Sequence, residues 1–169
     1  VKKKEPQPGE LVFKMENLIV ADKFQNIVVD DVSFEIREGE ILGIAGVQGN
    51  GQTELVEAVT GLTKIASGSI TLLGQNISNA APRKITELGT AHVPEDRQSV
   101  GLVLPFPVAE NLVLCTYYQA PFSKGIILQY DAILEHAEKL IREFDIRTPS
   151  ALTPVSSLSG GNQQKVIIA

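Results

Sequence analysis

The chain has 169 residues, 43% hydrophobic, 21% charged and 5% aromatic, a composition that suits about one globular domain with a real core. A net charge of −5 and a pI near 5.1 give no basic field for DNA or RNA, and tryptophan, a strong stacking platform, is absent, so no nucleic-acid partner is expected. The single cysteine, Cys115, excludes an internal disulfide, His92 and His136 lack zinc-ligand spacing, and no apolar run reaches the roughly 20 residues of a membrane span.

Lys2-Lys3-Lys4 followed by Glu5-Pro6-Gln7-Pro8-Gly9 reads as a solvated linker over residues 1–10. Residues 11–20 are rich in β-formers, and residues 31–37 alternate so that Val32, Phe34 and Ile36 share a face; both read as antiparallel strands with one wet side. Phe24, between them, is either a platform for an adenine ring or simply a loop aromatic. After Glu38-Gly39-Glu40 the run Ile41-Leu42-Gly43-Ile44-Ala45 does not alternate, as expected of a strand buried on both faces of a parallel sheet.

Gly46-Val47-Gln48-Gly49-Asn50-Gly51-Gln52-Thr53 then leads into a helix. Glycines let backbone N–H groups approach a phosphate, and the helix aims the positive end of its dipole at the anion. Gly46, Gly51 and Thr53 match the phosphate-loop pattern G-x-x-x-x-G-K-[ST], whereas Gln52 stands where lysine belongs. A neutral amide in place of an ammonium costs about 1–2 kcal/mol, which is about 5- to 30-fold in affinity. The other reading of this octapeptide is a strand-to-helix turn with no ligand.

The helix is expected to end at Gly61, followed by a strand over residues 69–73 with a turn at Gly74-Gln75-Asn76, a short helix over 82–88, and an inner strand over 90–93 ending at Pro94. Directly after it come Glu95-Asp96-Arg97, where a parallel sheet presents ligand-facing loops. Glu95 is placed to meet a metal ion or a catalytic water and Arg97 a phosphate; the alternative is a self-paired salt bridge on a surface turn. From Pro105 to about Leu158 the pattern becomes helical: a helix starts at Val108, Asp131 can cap another, and Ile133, Leu134, Ala137, Leu140, Ile141 and Phe144 form a core-facing stripe. Cys115, in the run Leu112-Val113-Leu114-Cys115, reads as a small core residue. Finally, Leu158-Ser159-Gly160-Gly161-Asn162-Gln163-Gln164-Lys165 again offers N–H groups and a hydroxyl to an anion, or else is only a capped helix start.

In this order, glycine loop, acidic turn, helical insert and Leu-Ser-Gly-Gly helix start resemble the nucleotide-binding domain of an ABC transporter ATPase. More narrowly, Val93-Pro94-Glu95-Asp96-Arg97, Gly101-Leu102-Val103-Leu104, Ala109-Glu110-Asn111-Leu112 and the 159–165 stretch look like the second ATPase half of tandem bacterial importers for simple sugars or nucleosides. The resemblance implies an α/β fold: a P-loop NTPase core with an N-terminal antiparallel β layer over residues 11–104, a helical signature subdomain over about 105–158, and a signature helix over 158–169, incomplete at its C-terminal side. It implies ATP and Mg²⁺ as ligands, with Gly46, Gly49, Asn50, Gly51, Gln52 and Thr53 at the domain's own site, Phe24 near the base, and Thr53 and Glu95 toward the metal.

Leu158, Ser159, Gly160, Gly161, Asn162 and Gln163 would instead cover the ATP of a partner domain. The implied partners are a second nucleotide-binding domain, in the same polypeptide or as a dimer, transmembrane permease subunits and a substrate-binding protein, at the cytoplasmic face of a membrane. Glu95 takes the place of the family's usual glutamine, and the acidic Walker B strand and switch histidine do not appear before Ala169. The chain is therefore expected to be a piece of a longer protein, unable by itself to turn over ATP. A non-hydrolysing binding or scaffold module is the alternative.

Overall fold

The computed structural model describes residues 7–47 and 49–169 and divides into two compact units, one up to Ala91 and one from His92. The lysine cluster Lys2-Lys3-Lys4 and Gln48 lie outside the described residues.

In the first unit, strand β1 (Leu11–Ala21) pairs antiparallel with β2 (Ile27–Arg37) on one side and β3 (Ser67–Leu72) on the other. A short β4 (Gln75–Asn76) completes the order β2-β1-β3-β4. Strict alternation would put every second β1 side chain inward, yet the buried set is Phe13, Met15, Leu18 and Val20. The one-residue slip falls at Asn17, whose φ is 47°, opposite a second positive-φ residue, Asp31, at 50°. Asn17 Nδ2 donates to Asp31 Oδ1 at 2.8 Å, so the two bulges are tied together and each strand returns its apolar face to the core. Gly68 passes this point at φ 90°, so close that a Cβ there would strike the Glu16 and Asn17 carbonyls.

Helix α1 (Gln52–Thr60) contributes Leu55 and Ala58 to the same core, and α2 (Pro82–Glu87), with proline in its first turn, contributes Ile85. As expected, α1 stops at Gly61: the Leu62 N–H donates to Glu57 O at 2.8 Å and the Gly61 N–H to Ala58 O at 3.3 Å, closing a Schellman cap.

The two predicted inner strands do not form. Residues 41–45 and 90–93 are irregular, with Ile41 96% and Ile44 53% exposed. A parallel strand needs neighbours on both edges to pair its amides and layers on both faces to bury its side chains. Among the described residues no strand lies beside either run, so apolar composition alone does not make a strand of them.

In the second unit, a π-helical turn (Arg97–Gly101) is followed by the single turn α3 (Val108–Asn111), a hairpin of β5 (Ser123–Lys124) and β6 (Ile127–Leu128), α4 (Tyr130–Glu143), a 3-10 turn (Val155–Ser157) and α5 (Gly160–Ile168). The α4 stripe is inward as its spacing predicts: Ile133, Ala137 and Leu140 are buried and Leu134, Ile141 and Phe144 pack beside them. Two expectations fail. Asp131 lies in the first turn of α4 and makes no cap; Gln129 holds the cap position. Cys115 is exposed, because α3 gives way to turns after Asn111 and the helical register that would carry Cys115 inward is lost.

Buried Asn111 braces this unit. Its Oδ1 accepts from the Val103 N–H at 2.9 Å, and its Nδ2 lies 3.1–3.2 Å from the carbonyls of Val103, Phe106 and Pro107. The stretch it gathers accepts in turn from the 3-10 turn: Val155 N–H to Phe106 O and Ser156 N–H to Leu104 O, both 3.0 Å. The residues leading into Leu158 are thus hung on a segment fixed by one amide side chain.

Candidate functional site

In the first unit the glycine loop turns the chain into α1. Gly49 and Gly51 take φ of 87° and 88°, conformations that an L side chain disfavours, and between them the Asn50 N–H donates back to Val47 O at 3.3 Å. Gly51 is also sterically obligatory, since a Cβ there would run into the Val28 carbonyl oxygen of β2. It is the N-cap of α1, and no side chain bonds the amides of the helix's first turn. Space over Gly49 is open, and Gly46, Asn50 and Thr53 are exposed. The space over Gly46 is taken by the Gln52 amide, which a Cβ at 46 would overlap. Phe24, 73% exposed in the β1–β2 connection, has Lys23 Nζ at 5.1 Å from its ring centroid.

In the second unit Glu95 is exposed and precedes a capped turn. Asp96 caps the π turn, accepting from the amides of Gln98 at 3.0 Å and Ser99 at 3.1 Å. Hydrogen bonds from the Ser99 side chain and from these amides hold its carboxyl below the ordinary aspartate range. The self-paired salt bridge does not form: Asp96 is engaged with backbone, and among the described residues no ion pair involves Arg97, whose guanidinium lies over Gly160.

The Leu-Ser-Gly-Gly stretch is not an ordinary capped start. Ser159 occupies the N-cap of α5, yet its hydroxyl accepts nothing from the helix amides. Its Oγ accepts instead from Asn162 Nδ2 at 3.0 Å, while Asn162 Oδ1 accepts from the Arg147 N–H at 2.9 Å. With its acceptor side engaged by an amide, the Ser159 hydroxyl keeps its proton for a group outside, next to unbonded amides at the positive end of a helix. Ser159 and Gly161 are exposed, and nothing stands within 4 Å of a Cβ position at Gly161. Leu158 is buried as the anchor. Gln163, 3% exposed, donates to Val155 O at 3.2 Å and accepts from Gln98 Nε2 at 3.3 Å. The carboxyl of Asp145, lowered first by its hydrogen bond to Lys165, pins the middle of α5 at 2.9 Å.

Residues 29–169 match the family described as ABC transporter. The chain belongs to this family. It is 52% identical over 163 residues to the nucleoside import ATP-binding protein NupA of Lactococcus lactis subsp. cremoris, covering 96% of this chain and 32% of that protein. It is 50% identical over 166 residues to the guanosine import ATP-binding protein NupO of Bacillus subtilis, covering 98% and 32%. The chain therefore spans about a third of the length of these relatives. A crystal structure of a nucleotide-free ATP-binding cassette from an ABC transporter superposes with a TM-score of 0.74 at 22% identity, covering 94% of this chain and 63% of that one. The fold is accordingly the α/β P-loop NTPase fold of such cassettes.

A polyphosphate would be held where the left-handed glycines lead into the first turn of α1, whose amides take no side-chain cap among the described residues, with the neutral Gln52 amide over Gly46. Thr53, exposed on that turn, has the hydroxyl that would hold Mg²⁺, whose chemistry would be to neutralise charge on the phosphate oxygens. Within the second unit, Arg97 and Gln98 are brought onto the signature residues Gly160 and Gln163. Sequence reasoning missed these two pairings and the Asn111 brace. A polar side chain at the start of an apolar helix, as in Ala109-Glu110-Asn111-Leu112, is the signal that could have found the brace.

Proposed function

We propose that this chain is part of the nucleotide-binding subunit of an ABC importer, at the cytoplasmic face of the membrane, which couples ATP binding and hydrolysis to uptake of a nucleoside or simple sugar. The two relatives above, named for nucleoside and guanosine import, favour the nucleoside. In this reading the loop from Gly46 to Thr53, with Phe24 toward the base, binds Mg-ATP weakly, because Gln52 brings a neutral donor where an ammonium would stabilise transferring charge. Glu95 stands where the family has a glutamine, and its negative charge departs from the ordinary catalytic geometry. The signature residues from Leu158 to Gln163 complete the site of a second nucleotide-binding domain, in the same polypeptide or a dimer, and permease subunits and a substrate-binding protein complete the transporter.

The observation that carries this reading is the Ser159 hydroxyl: held as an acceptor by Asn162 and released from capping, it offers its proton outward beside open Gly161. The test is reciprocal and uses the full-length protein. Ser159→Arg should abolish turnover at the partner site, and Gln52→Ala should weaken only this loop's own site, by about 2- to 13-fold, since one neutral hydrogen bond is worth about 0.5–1.5 kcal/mol. Equal losses would refute the division of labour. The Gln52 amide over Gly46 favours a second reading, a non-hydrolysing nucleotide-binding or scaffold module. Absence of heat on calorimetric titration with Mg-ATP, with the partner site blocked, would support the scaffold.

A further inference from the structure

The two signature glycines are not equivalent. At Gly161 a Cβ would meet nothing within 4 Å, whereas at Gly160 it would lie 2.8 Å from Arg97 Nη2 and 3.4 Å from its Cζ. The position over Gly160 is therefore filled by this chain's own guanidinium. Two further contacts continue in step along the same face of α5. Gln98 Nε2 donates to Gln163 Oε1 at 3.3 Å, and Gly101 lies so close that a Cβ would be 2.8 Å from Ile167 Cδ1. Positions 160, 163 and 167 recur at helical spacing, so the π turn Arg97–Gly101 lies lengthwise against the helix. Among the described residues Arg97 Nε is buried without a hydrogen-bond partner, so the place of this group over Gly160 rests on packing. A cation at the amino end of a helix is disfavoured by the helix dipole. The contact thus serves placement more than electrostatic stabilisation of α5.

We propose that Arg97 is a positioning residue for the signature: with Gln98, it sets where the amino end of α5 stands, and so where Ser159 and Gly161 face. Glycine is required at 160 to admit Arg97 and at 161 to admit a ligand. The proposal rests on the functional reading above and extends it to the segment that begins at Glu95. Because the guanidinium is the far end of a flexible side chain, a methyl at 160 acts by displacing it, and the loss depends on whether Arg97 is there to be displaced.

The experiment is a double-mutant cycle in the full-length protein, read as steady-state ATP turnover and as amide hydrogen exchange of residues 160–163. Arg97→Ala and Gly160→Ala should each lower kcat about fivefold or more with KM for Mg-ATP within about twofold, and the double variant should be no worse than Arg97→Ala. Gly161→Ala should lose the same factor on either background. Arg97→Lys should not rescue, since the planar guanidinium matters and the charge does not. Additive losses at 97 and 160, or full rescue by lysine, would overturn the proposal. If Ser159→Arg leaves turnover intact, the functional reading fails, and the positioning claim is decided by exchange alone. Faster exchange at 161–163 in Arg97→Ala then supports it, and unchanged exchange overturns it.

Discussion

Replacing Asn111 by alanine removes the side chain that gathers residues 103–107, and its cost follows from its contacts. The Nδ2 group has two protons facing three carbonyl oxygens, and Oδ1 accepts one amide, so three hydrogen bonds are lost at a time. At about 1 kcal/mol net for each bond, the loss is about 3 kcal/mol. With Asn111 only 7% exposed, water cannot replace those bonds without the segment opening. Asn111→Asp should be worse than Asn111→Ala, because it places a carboxylate against three carbonyl oxygens. All three tyrosines, Tyr117, Tyr118 and Tyr130, lie in the second unit and tryptophan is absent, so tyrosine fluorescence follows that unit in urea. The alanine variant should lower the midpoint by about 1–3 M. A shift of less than about 0.3 M, or an aspartate variant more stable than the alanine one, would refute the role given to this amide.

Two other predictions concern the sites themselves. Gln52→Lys should tighten Mg-ATP about 5- to 30-fold by restoring a charge-assisted contact, measured by calorimetry with the partner site blocked; an unchanged Kd would mean that the loop does not cradle phosphate. The Asp96 cap should fade in acid. Its carboxyl is held below the unfolded value of about 3.9, so its contribution is complete above that pH and is lost as pH falls through the lower folded value. Protection of the Gln98 and Ser99 amides should drop below about pH 4, and Asp96→Ala should remove that pH dependence.

The sequence by itself determined the features that local chemistry decides. Gly61 ends α1 because few residues tolerate a left-handed φ, and the α4 stripe is inward because its apolar side chains recur at helical spacing. The tertiary structure decided whatever needs a distant partner. Residues 41–45 are apolar enough for a buried strand but have no neighbouring strand among the described residues, and Asn17 and Asp31 shift two strands by a residue through a bond no periodicity reveals. At the signature, only the packing of Arg97 distinguishes a glycine filled by its own chain from one left open, because sequence fixes which backbones can approach closely while the fold alone fixes what approaches them.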